Sequence, residues 1–164
     1  MTGSQLLQSC WRYGVIASLL CITSCASEPD REVSFSYRIT AASDINPSVS
    51  QSPSPVAIKV MQLSSNTNFN KADFNELLGA HERSLGTELI QVNQYLIQPG
   101  SDQEIELAIS KSAKHIGVVA GFRDIENASW RSIVDVPEKG WLSFGQGELI
   151  ILVNKLSIRV LIEE

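Results

Sequence analysis

Residues 149–162, LIILVNKLSIRVLI, decide the fold. Apolar side chains occupy positions 149, 151 and 153, and again positions 156, 158, 160 and 162, on either side of the corner Asn154-Lys155. An apolar residue at every second position is typical of a strand with one buried face. The stretch therefore predicts a β-hairpin whose two strands cover the same core.

Similar alternation recurs through the rest of the chain. Residues 33–40 alternate strictly between apolar and polar, residues 56–63 carry a second strand, and residues 116–122 are apolar enough for a central strand covered on both faces. Residues 89–97 and 105–109 flank the turn Pro99-Gly100-Ser101-Asp102 and predict a second hairpin. Residues 131–136 predict one further strand.

One segment has a helical pattern instead. Asn70 is the predicted N-cap, Asp73 lies in the first turn, and apolar residues follow at helical spacing from Phe74. We expect one short helix that ends near Gly79 or, with a frayed extension, near Gly86. About seven or eight strands and one helix, without a βαβ rhythm, predict a mostly-β fold: a two-sheet antiparallel β-sandwich with one short helical insertion.

A long loop joins the first two predicted strands. Residues 41–55 are rich in serine and proline and offer only Ile45 and Val49 for burial, so we expect an exposed loop. A loop of this length without a core of its own is more often functional than merely connecting. The alternative is a disordered connector.

The amino-terminal part carries a targeting signal. Residues 19–25, LLCITSC, resemble the lipobox of a bacterial lipoprotein precursor, preceded by Arg12 and an apolar stretch too short to span a membrane. The resemblance implies cleavage before Cys25 and lipidation of that cysteine. An ordinary secretory signal or an unprocessed buried helix is the alternative. The domains expected are a signal peptide (1–24), a lipidated tether (25–31) and a β-sandwich (32–164).

Charge and cysteine content limit the range of possible functions. Residues 1–24 contain one cation and no acid, so cleavage changes the formal charge from −5 to −6, which makes nucleic acid an unsuitable partner. If the chain is processed as the lipobox resemblance implies, Cys10 and Cys21 leave with the signal peptide and the lipid consumes the thiol of Cys25. The mature domain therefore has no disulfide and no thiolate ligand or nucleophile. Position 26 is Ala and not the Asp that tends to retain lipoproteins in the inner membrane, so the lipoprotein resemblance implies the inner leaflet of the outer membrane, with the domain in the periplasm.

No catalytic or metal motif is present in the sequence. His81 and His115 have no partners at metal-ligand or acid-base spacing, so we expect surface residues. The carboxylates of Asp102, Glu104 and Glu106 alternate along one strand and indicate a solvated face rather than a site. We expect no enzymatic activity. The alternative is a hydrolase whose catalytic residues come from distant parts of the sequence, since local sequence patterns do not detect such a site.

Aromatic residues offer one further alternative. Trp130, Trp141 and Phe144 could form a platform for sugar rings, which would make the protein a periplasm-facing lipoprotein that binds glycan or peptidoglycan. Core packing is the commoner use of such residues.

Several motifs together resemble one family. Residues 42–47 (ASDINP), 54–63 (SPVAIKVMQL), 69–74 (FNKADF), 96–100 (LIQPG) and 120–123 (AGFR) follow in the order found in the TssJ (SciN/VasD) outer-membrane lipoproteins of type VI secretion systems. With the lipobox, the resemblance covers nearly all of residues 25–164. The serine-rich run from Ser48 to Ser54 departs from the commoner pattern of charged residues.

The resemblance implies a transthyretin-like β-sandwich without enzymatic activity and without a cofactor other than the covalent lipid on Cys25. It implies binding to the periplasmic C-terminal domain of TssM, anchoring of that partner to the outer membrane, and an indirect link to TssL through the complex. In the family the loop between the first two strands carries much of the contact. The partner-binding residues expected here are Asp44, Ile45, Asn46, Pro47, Val49 and Gln51. We expect Ile45 and Val49 to be apolar anchors, and Asp44 and Asn46 to stiffen the turn.

Overall fold

The computed structural model describes residues 33–136 and 148–163, which form eight strands and a short helical segment. The mostly-β class and the two-sheet sandwich are confirmed. The strands are β1 (Val33–Ala41), β2 (Val56–Leu63), β3 (Leu89–Ile97), β4 (Asp102–Ile109), β5 (His115–Ala120), β6 (Arg131–Asp135), β7 (Glu148–Asn154) and β8 (Ser157–Glu163). The helices are α1 (Thr67–Lys71), α2 (Phe74–Gly79) and α3 (His81–Leu85), followed by one 3₁₀ turn (Gly86–Glu88).

The described residues form two sheets of four strands each. One sheet has the order β4-β1-β7-β8 and the other has the order β3-β2-β5-β6. All neighbouring strands are antiparallel except β1 and β7, which are parallel with Tyr37 opposite Leu149. A parallel pair needs a long crossover connection. The chain meets this requirement because the whole second sheet lies between β1 and β7 in sequence.

The terminal hairpin is confirmed, but the second predicted hairpin is wrong. In β7 and β8, Ile151 pairs with Val160 and both side chains are buried. β3 and β4 lie in different sheets, because β3 pairs with β2 and β4 pairs with β1. The turn at Pro99-Gly100 therefore carries the chain from one sheet to the other, with φ of +72° at Gly100. Alternation identifies the buried face of a strand but does not identify its partner.

The main core fills the space between the two sheets. Strands β1, β2, β5, β7 and β8 supply most of the fully buried apolar side chains, each worth roughly 1.5–3 kcal/mol on burial. They include Tyr37, Ile39, Ile58, Val60, Ile116, Val118, Leu149, Ile151, Val153 and Ile158. β5 is buried on both faces, as its sequence predicts.

The helical insertion covers the outer face of the β3-β2-β5-β6 sheet. A second apolar cluster lies beneath it, formed by Met61, Leu63, Phe69, Leu77, Leu85 and Val119. Gly117 on β5 makes room for this contact, because a Cβ there would lie 2.7 Å from the Phe69 ring. Arg131 on β6 completes it by donating from Nη1 to the carbonyl oxygens of Phe69 (3.1 Å) and Ala72 (2.9 Å).

The single helix expected from Asn70 is replaced by three short ones. Asn70 lies inside α1, and the extended backbone of Ala72, with ψ of 144°, ends that helix. Asp73 is the N-cap of α2 rather than a first-turn residue: its carboxylate accepts from the Glu76 N–H at 2.9 Å, and the Glu76 carboxylate accepts from the Asp73 N–H at 2.8 Å. This reciprocal capping box starts a new helix three residues later than predicted. Within the described residues no helix is long and apolar enough to cross a bilayer.

Candidate functional site at the loop between β1 and β2

The loop of residues 42–55 leaves one sheet and enters the other at one end of the sandwich. Its first residue is fixed between two other connections. The Ala42 N–H donates to the Val153 carbonyl at 2.9 Å, and the Gly100 N–H donates to the Ala42 carbonyl at 3.0 Å. The turn between β3 and β4 and the end of β7 therefore hold the base of the loop.

Ile45 is a core residue, which corrects its prediction as an exposed apolar anchor. Its side chain is 0% exposed and belongs to the main core with Ile39, Val56 and Val153. The apolar side chain turns inward because the end of the sandwich would otherwise be open to water. Ile45 therefore shapes the loop from below and has no surface with which to touch a partner.

Asn46 is hydrogen-bonded to three segments of the chain, at Pro55, Arg123 and Lys155, and we call this set of bonds the Asn46 clamp. Its Nδ2 donates to the Pro55 carbonyl at 2.7 Å, its Oδ1 accepts from the Arg123 N–H at 2.8 Å, and its backbone N–H donates to the Lys155 carbonyl at 2.9 Å. The residue is 2% exposed and has φ of 46°, a left-handed conformation that asparagine tolerates better than most residues. The prediction that Asn46 stiffens the turn is met by its contacts, whereas the exposed Asp44 makes no such bond to the described residues.

The tip of the loop is a small hydrogen-bonded turn. The Ser48 N–H donates to the Ser52 carbonyl at 2.8 Å, and the Gln51 N–H donates to the Ser48 carbonyl at 2.9 Å, with φ of 61° at Gln51. The hydroxyls of Ser48 and Ser50 lie 2.8 Å apart, and the Ser48 Oγ also accepts from the Ser52 N–H at 3.2 Å. These serines give the loop a defined conformation, unlike the disordered connector considered as an alternative.

Val49 stands at the apex of this turn and is fully exposed, with a relative exposure of 103%. Asp44 and Gln51 are also exposed, and Pro47 is half-buried. The structure therefore divides the six predicted residues: four are accessible around the tip, and Ile45 and Asn46 form the buried support beneath it. Neighbouring connections add the exposed charges of Arg123, Asp124 and Lys155, which the sequence pattern did not single out. The hydrogen bonds of Asn46 to the backbone of Arg123 and Lys155 bring these two connections to the loop, and both partners are remote in sequence.

The proposed sugar platform has one described member, and that residue is engaged in packing. The Trp130 ring makes an edge contact with Phe74, with ring centroids 5.4 Å apart, and the Arg131 guanidinium carbon lies 4.9 Å from the Trp130 centroid. Trp130 thus joins the helical insertion to the sandwich. Trp141 and Phe144 lie outside the described residues.

Both histidines are half-buried, and both have partners that the sequence spacing does not indicate. His81 Nδ1 lies 2.9 Å from the Nζ of Lys59, and this buried ammonium also donates to the Leu78 carbonyl at 2.5 Å. Burial lowers the pKa of Lys59, and burial followed by the Lys59 charge lowers the pKa of His81. The pair fastens α2 and α3 to β2. His115 Nδ1 lies 2.6 Å from the Asp135 carboxylate.

The acidic row on β4 is solvent-exposed, as predicted. Asp102, Glu104 and Glu106 are all exposed, and Asp102 lies 3.4 Å from the Arg38 guanidinium. Arg38 also contacts Glu148 at 2.9 Å. Across residues 33–136 and 148–163 no three histidine, cysteine or acidic side chains are grouped closely enough to hold a metal ion.

Residues 34–164 match the sequence model of a family described as type VI secretion lipoprotein, VasD, EvfM, TssJ. The chain belongs to this family. The resemblance carried by the sequence motifs is thereby confirmed, and so are the lipoprotein and type VI secretion assignments at family level. The matched residues begin after Cys25, so lipidation of that residue stays a prediction.

Solved structures share the fold. The lipoprotein TssJ1 from Pseudomonas aeruginosa is 25% identical, with a TM-score of 0.73, over 82% of this chain and 98% of that one. Lip from Serratia marcescens, described as a membrane-bound component of the type VI secretion system, is 24% identical, with a TM-score of 0.70, over 78% of this chain and 96% of that one. A chain in a structure described as the T6SS protein TssM C-terminal domain (869–1107) from EAEC is 23% identical, with a TM-score of 0.61, over 80% of this chain and 98% of that one. A comparison with curated protein sequences gave no match.

Proposed function

We propose that this chain is a structural, non-catalytic lipoprotein that holds the periplasmic C-terminal domain of TssM at the outer membrane. One observation carries the proposal: the start of β1 and the exposed loop tip lie at opposite ends of the sandwich. Val33 pairs with Ile109 at one end of β1, and Thr40 pairs with Asp102 at the other end, just before the loop begins. At about 3.3 Å per residue, the nine-residue strand separates the two ends by roughly 26 Å.

The placement of the tether and the loop tip at opposite ends of the sandwich suits a protein that connects the outer membrane to a partner across the periplasm. Cys25 precedes Val33 by eight residues, so the fully extended tether reaches at most roughly 29 Å. Two or three acyl chains on Cys25 hold a protein to a bilayer for long times, because each buried methylene contributes about 0.8 kcal/mol. The lipid places the start of β1 near the inner leaflet of the outer membrane. β1 then points the Val49 tip away from that membrane, toward a partner that rises from the inner membrane.

The loop tip has the chemistry of a protein interface. Val49 is a fully exposed apolar side chain at the apex, and Asp44 and Gln51 are exposed polar residues of the same loop. Interfaces commonly have an apolar centre and a polar rim. Because the serine bonds and the Asn46 clamp fix the loop before binding, less conformational entropy is lost on association.

The fold comparison supports the choice of partner. A chain with this fold occurs in a structure described as the TssM C-terminal domain. In this proposal TssL is linked to the chain indirectly, through the complex, and the net negative charge of the chain does not favour nucleic acid as a partner.

A charge placed at the tip tests the partner assignment. Val49→Asp should weaken binding to a soluble periplasmic fragment of TssM at least tenfold in titration calorimetry, because a desolvated carboxylate has no partner in an apolar contact. Asn75→Asp adds the same charge at an exposed position on α2 and should leave the affinity unchanged. Wild-type affinity of Val49→Asp would refute the assignment. Deleting the whole loop is a poorer test, because it would remove Ile45 from the core.

The anchor is tested separately. Cys25→Ser should give a folded protein that no longer fractionates with the outer membrane and still binds the TssM fragment with wild-type affinity. Retention of the variant in the outer membrane would refute the lipid anchor at this residue without affecting the partner assignment.

A further inference from the structure

Val49 alone is too small to hold a protein partner. A specific interface usually buries roughly 800 Å² on each partner, and one valine side chain at a loop tip supplies only a small part of that area. The centre of such an interface is apolar. Among the described residues one other large apolar side chain is strongly exposed, that of Leu96, at 62%. Its position relative to the loop tip therefore decides whether the two side chains can share one surface.

Leu96 lies at the same end of the sandwich as the loop tip. It is the next-to-last residue of β3, just before the turn at Gly100. The Gly100 N–H donates to the carbonyl of Ala42, at the base of the loop that carries Val49. β3 therefore ends where that loop begins, away from Val33 and the lipid tether.

Leu96 belongs to a small apolar patch on the outer face of the β3-β2-β5-β6 sheet. Its partner on β2 is Ala57, which alternates with core residues, so both side chains point outward. Beside Ala57 lies Gly121, whose N–H donates to the Ala57 carbonyl at 2.8 Å. A Cβ at Gly121 would lie 3.7 Å from both methyl carbons of Leu78 on α2. We call Leu78, Ala57, Leu96 and Gly121 the lateral patch.

The lateral patch is lowest at its centre. Ala57 carries only a methyl group and Gly121 has no side chain, and both are half-buried. Leu96 stands on one side of them and the half-buried Leu78 on the other. The strands on either side of β2 are roughly 9.6 Å apart, which is two strand spacings. The surface between the two leucines therefore suits one apolar side chain of a partner.

The Asn46 clamp connects the lateral patch to the loop tip. The Asn46 side chain bonds the Pro55 carbonyl and the Arg123 N–H. Two residues further from Pro55 along the chain comes Ala57, and two residues before Arg123 comes Gly121, and these two are bonded to each other. Two residues of a strand span roughly 6.6 Å. The bonds that fix the loop tip thus also fix the near border of the patch.

We propose that the lateral patch is a second part of the TssM-binding surface, on which an aliphatic or aromatic side chain of TssM lies over Ala57 between Leu96 and Leu78. The proposal rests on the function proposed above, because it concerns the same partner. TssM would extend from the apex of the loop onto the side of the sandwich. Covering Leu96 removes from water an apolar surface that the loop tip alone does not offer.

A charge at Leu96 tests the proposal. Binding of the mature chain with Cys25→Ser to a soluble periplasmic fragment of TssM is measured by titration calorimetry. Leu96→Asp should weaken binding at least tenfold, because its carboxylate would be desolvated against an apolar side chain. Leu96→Met keeps an apolar side chain and should bind within threefold of the parent. Thr87→Asp places the same charge at an exposed position before the other end of β3 and should leave the affinity unchanged.

Gly121→Ala tests the low centre of the patch without adding charge. The new Cβ would lie 3.5 Å from the Ala57 carbonyl oxygen and 3.7 Å from Leu78, which are ordinary contact distances, so the melting temperature should stay close to that of the parent. Binding to the TssM fragment should weaken at least threefold, because the methyl group occupies space that the partner side chain needs.

The outcomes separate this proposal from the assignment of the loop tip. If Val49→Asp weakens binding and Leu96→Asp does not, the lateral patch is refuted and the loop tip stands. If Leu96→Asp weakens binding and Val49→Asp does not, the reverse holds. Equal weakening by Leu96→Asp and Thr87→Asp would refute the patch, and absence of binding by the parent would refute both. A dimer of the chain alone in sedimentation, abolished by Leu96→Asp, would assign the patch to a second copy and overturn the choice of TssM.

Discussion

The side-chain oxygen of Asn46 accepts a hydrogen bond from the backbone N–H of Arg123 at a distance of 2.8 Å, although the two residues are 77 positions apart in sequence. This bond joins the loop that follows β1 to the connection that follows β5. With the Asn46 amide bonded to Pro55 and its N–H bonded to Lys155, the end of the sandwich that carries Val49 is fixed as one unit.

Asn46→Ala should destabilise the domain by about 2–4 kcal/mol, because two buried hydrogen bonds are lost and alanine is strained at positive φ. Chemical denaturation followed by circular dichroism measures this loss. Ser43→Ala changes an exposed residue of the same loop and should alter the free energy of unfolding by less than about 0.5 kcal/mol. Equal stabilities of the two variants would contradict the clamp.

Gln62→Leu should cost about 2–4 kcal/mol, because the buried amide of Gln62 bonds the Ala108 carbonyl at 2.7 Å and the Ser110 N–H at 2.9 Å across the two sheets. Gln94→Leu on β3 is the matched change at an exposed position and should have little effect on stability. If both variants unfold at the same denaturant concentration, Gln62 does not fasten the sheets.

Gly117→Ala should destabilise the protein by about 1–3 kcal/mol, since the added Cβ would lie 2.7 Å from Phe69 Cε2 and 3.2 Å from Leu63 Cδ1. Gly79→Ala provides the control, because a Cβ at that position meets nothing within 4 Å. Thermal denaturation of both variants tests the contact. A melting temperature of Gly117→Ala at or above that of Gly79→Ala would show that Phe69 does not pack against β5 as described.

Acid should weaken the attachment of the helical insertion. Burial and then Lys59 lower the pKa of His81 below its ordinary value of 6.5, while Glu82 acts in the opposite direction. The unfolded chain therefore takes up this proton at higher pH than the folded chain, so stability falls as the pH drops through 6.5 toward the lowered pKa, and then levels off.

His81→Gln removes the titrating group and keeps an acceptor for Lys59. The melting temperature of the wild type should fall further between about pH 7.5 and pH 5.5 than that of the variant. Parallel curves for the two proteins would exclude His81 as the source of the difference.

Local patterns in the sequence predicted the strands well. The alternation of residues 33–40 and 149–162, and the doubly apolar run of β5, follow directly from which faces are buried, so they are legible in the sequence. Local sequence patterns do not show which strands pair with each other. The assignment of β3 and β4 to one hairpin failed because their pairing depends on β1 and β2, which are remote in sequence.

The sequence located the candidate site but did not distinguish its buried residues from its exposed ones. Composition marked residues 41–55 as a loop, yet Ile45 and Val49 are both aliphatic residues in a polar stretch, and nothing local distinguishes them. The difference arises from the closed end of the sandwich, which accepts Ile45 and leaves Val49 outside. The role of Asn46 was hidden from local sequence for a similar reason: its partners Arg123 and Lys155 lie in turns that are distant in sequence.

The most direct test of the central claim is photocrosslinking in cells with the full-length, lipidated chain. A benzophenone amino acid replaces Val49 in one strain and Thr87, an exposed residue of the 3₁₀ turn, in another. After irradiation, the account predicts a covalent adduct with TssM from position 49 and none from position 87. No adduct at position 49, or adducts of equal yield at both positions, would contradict it.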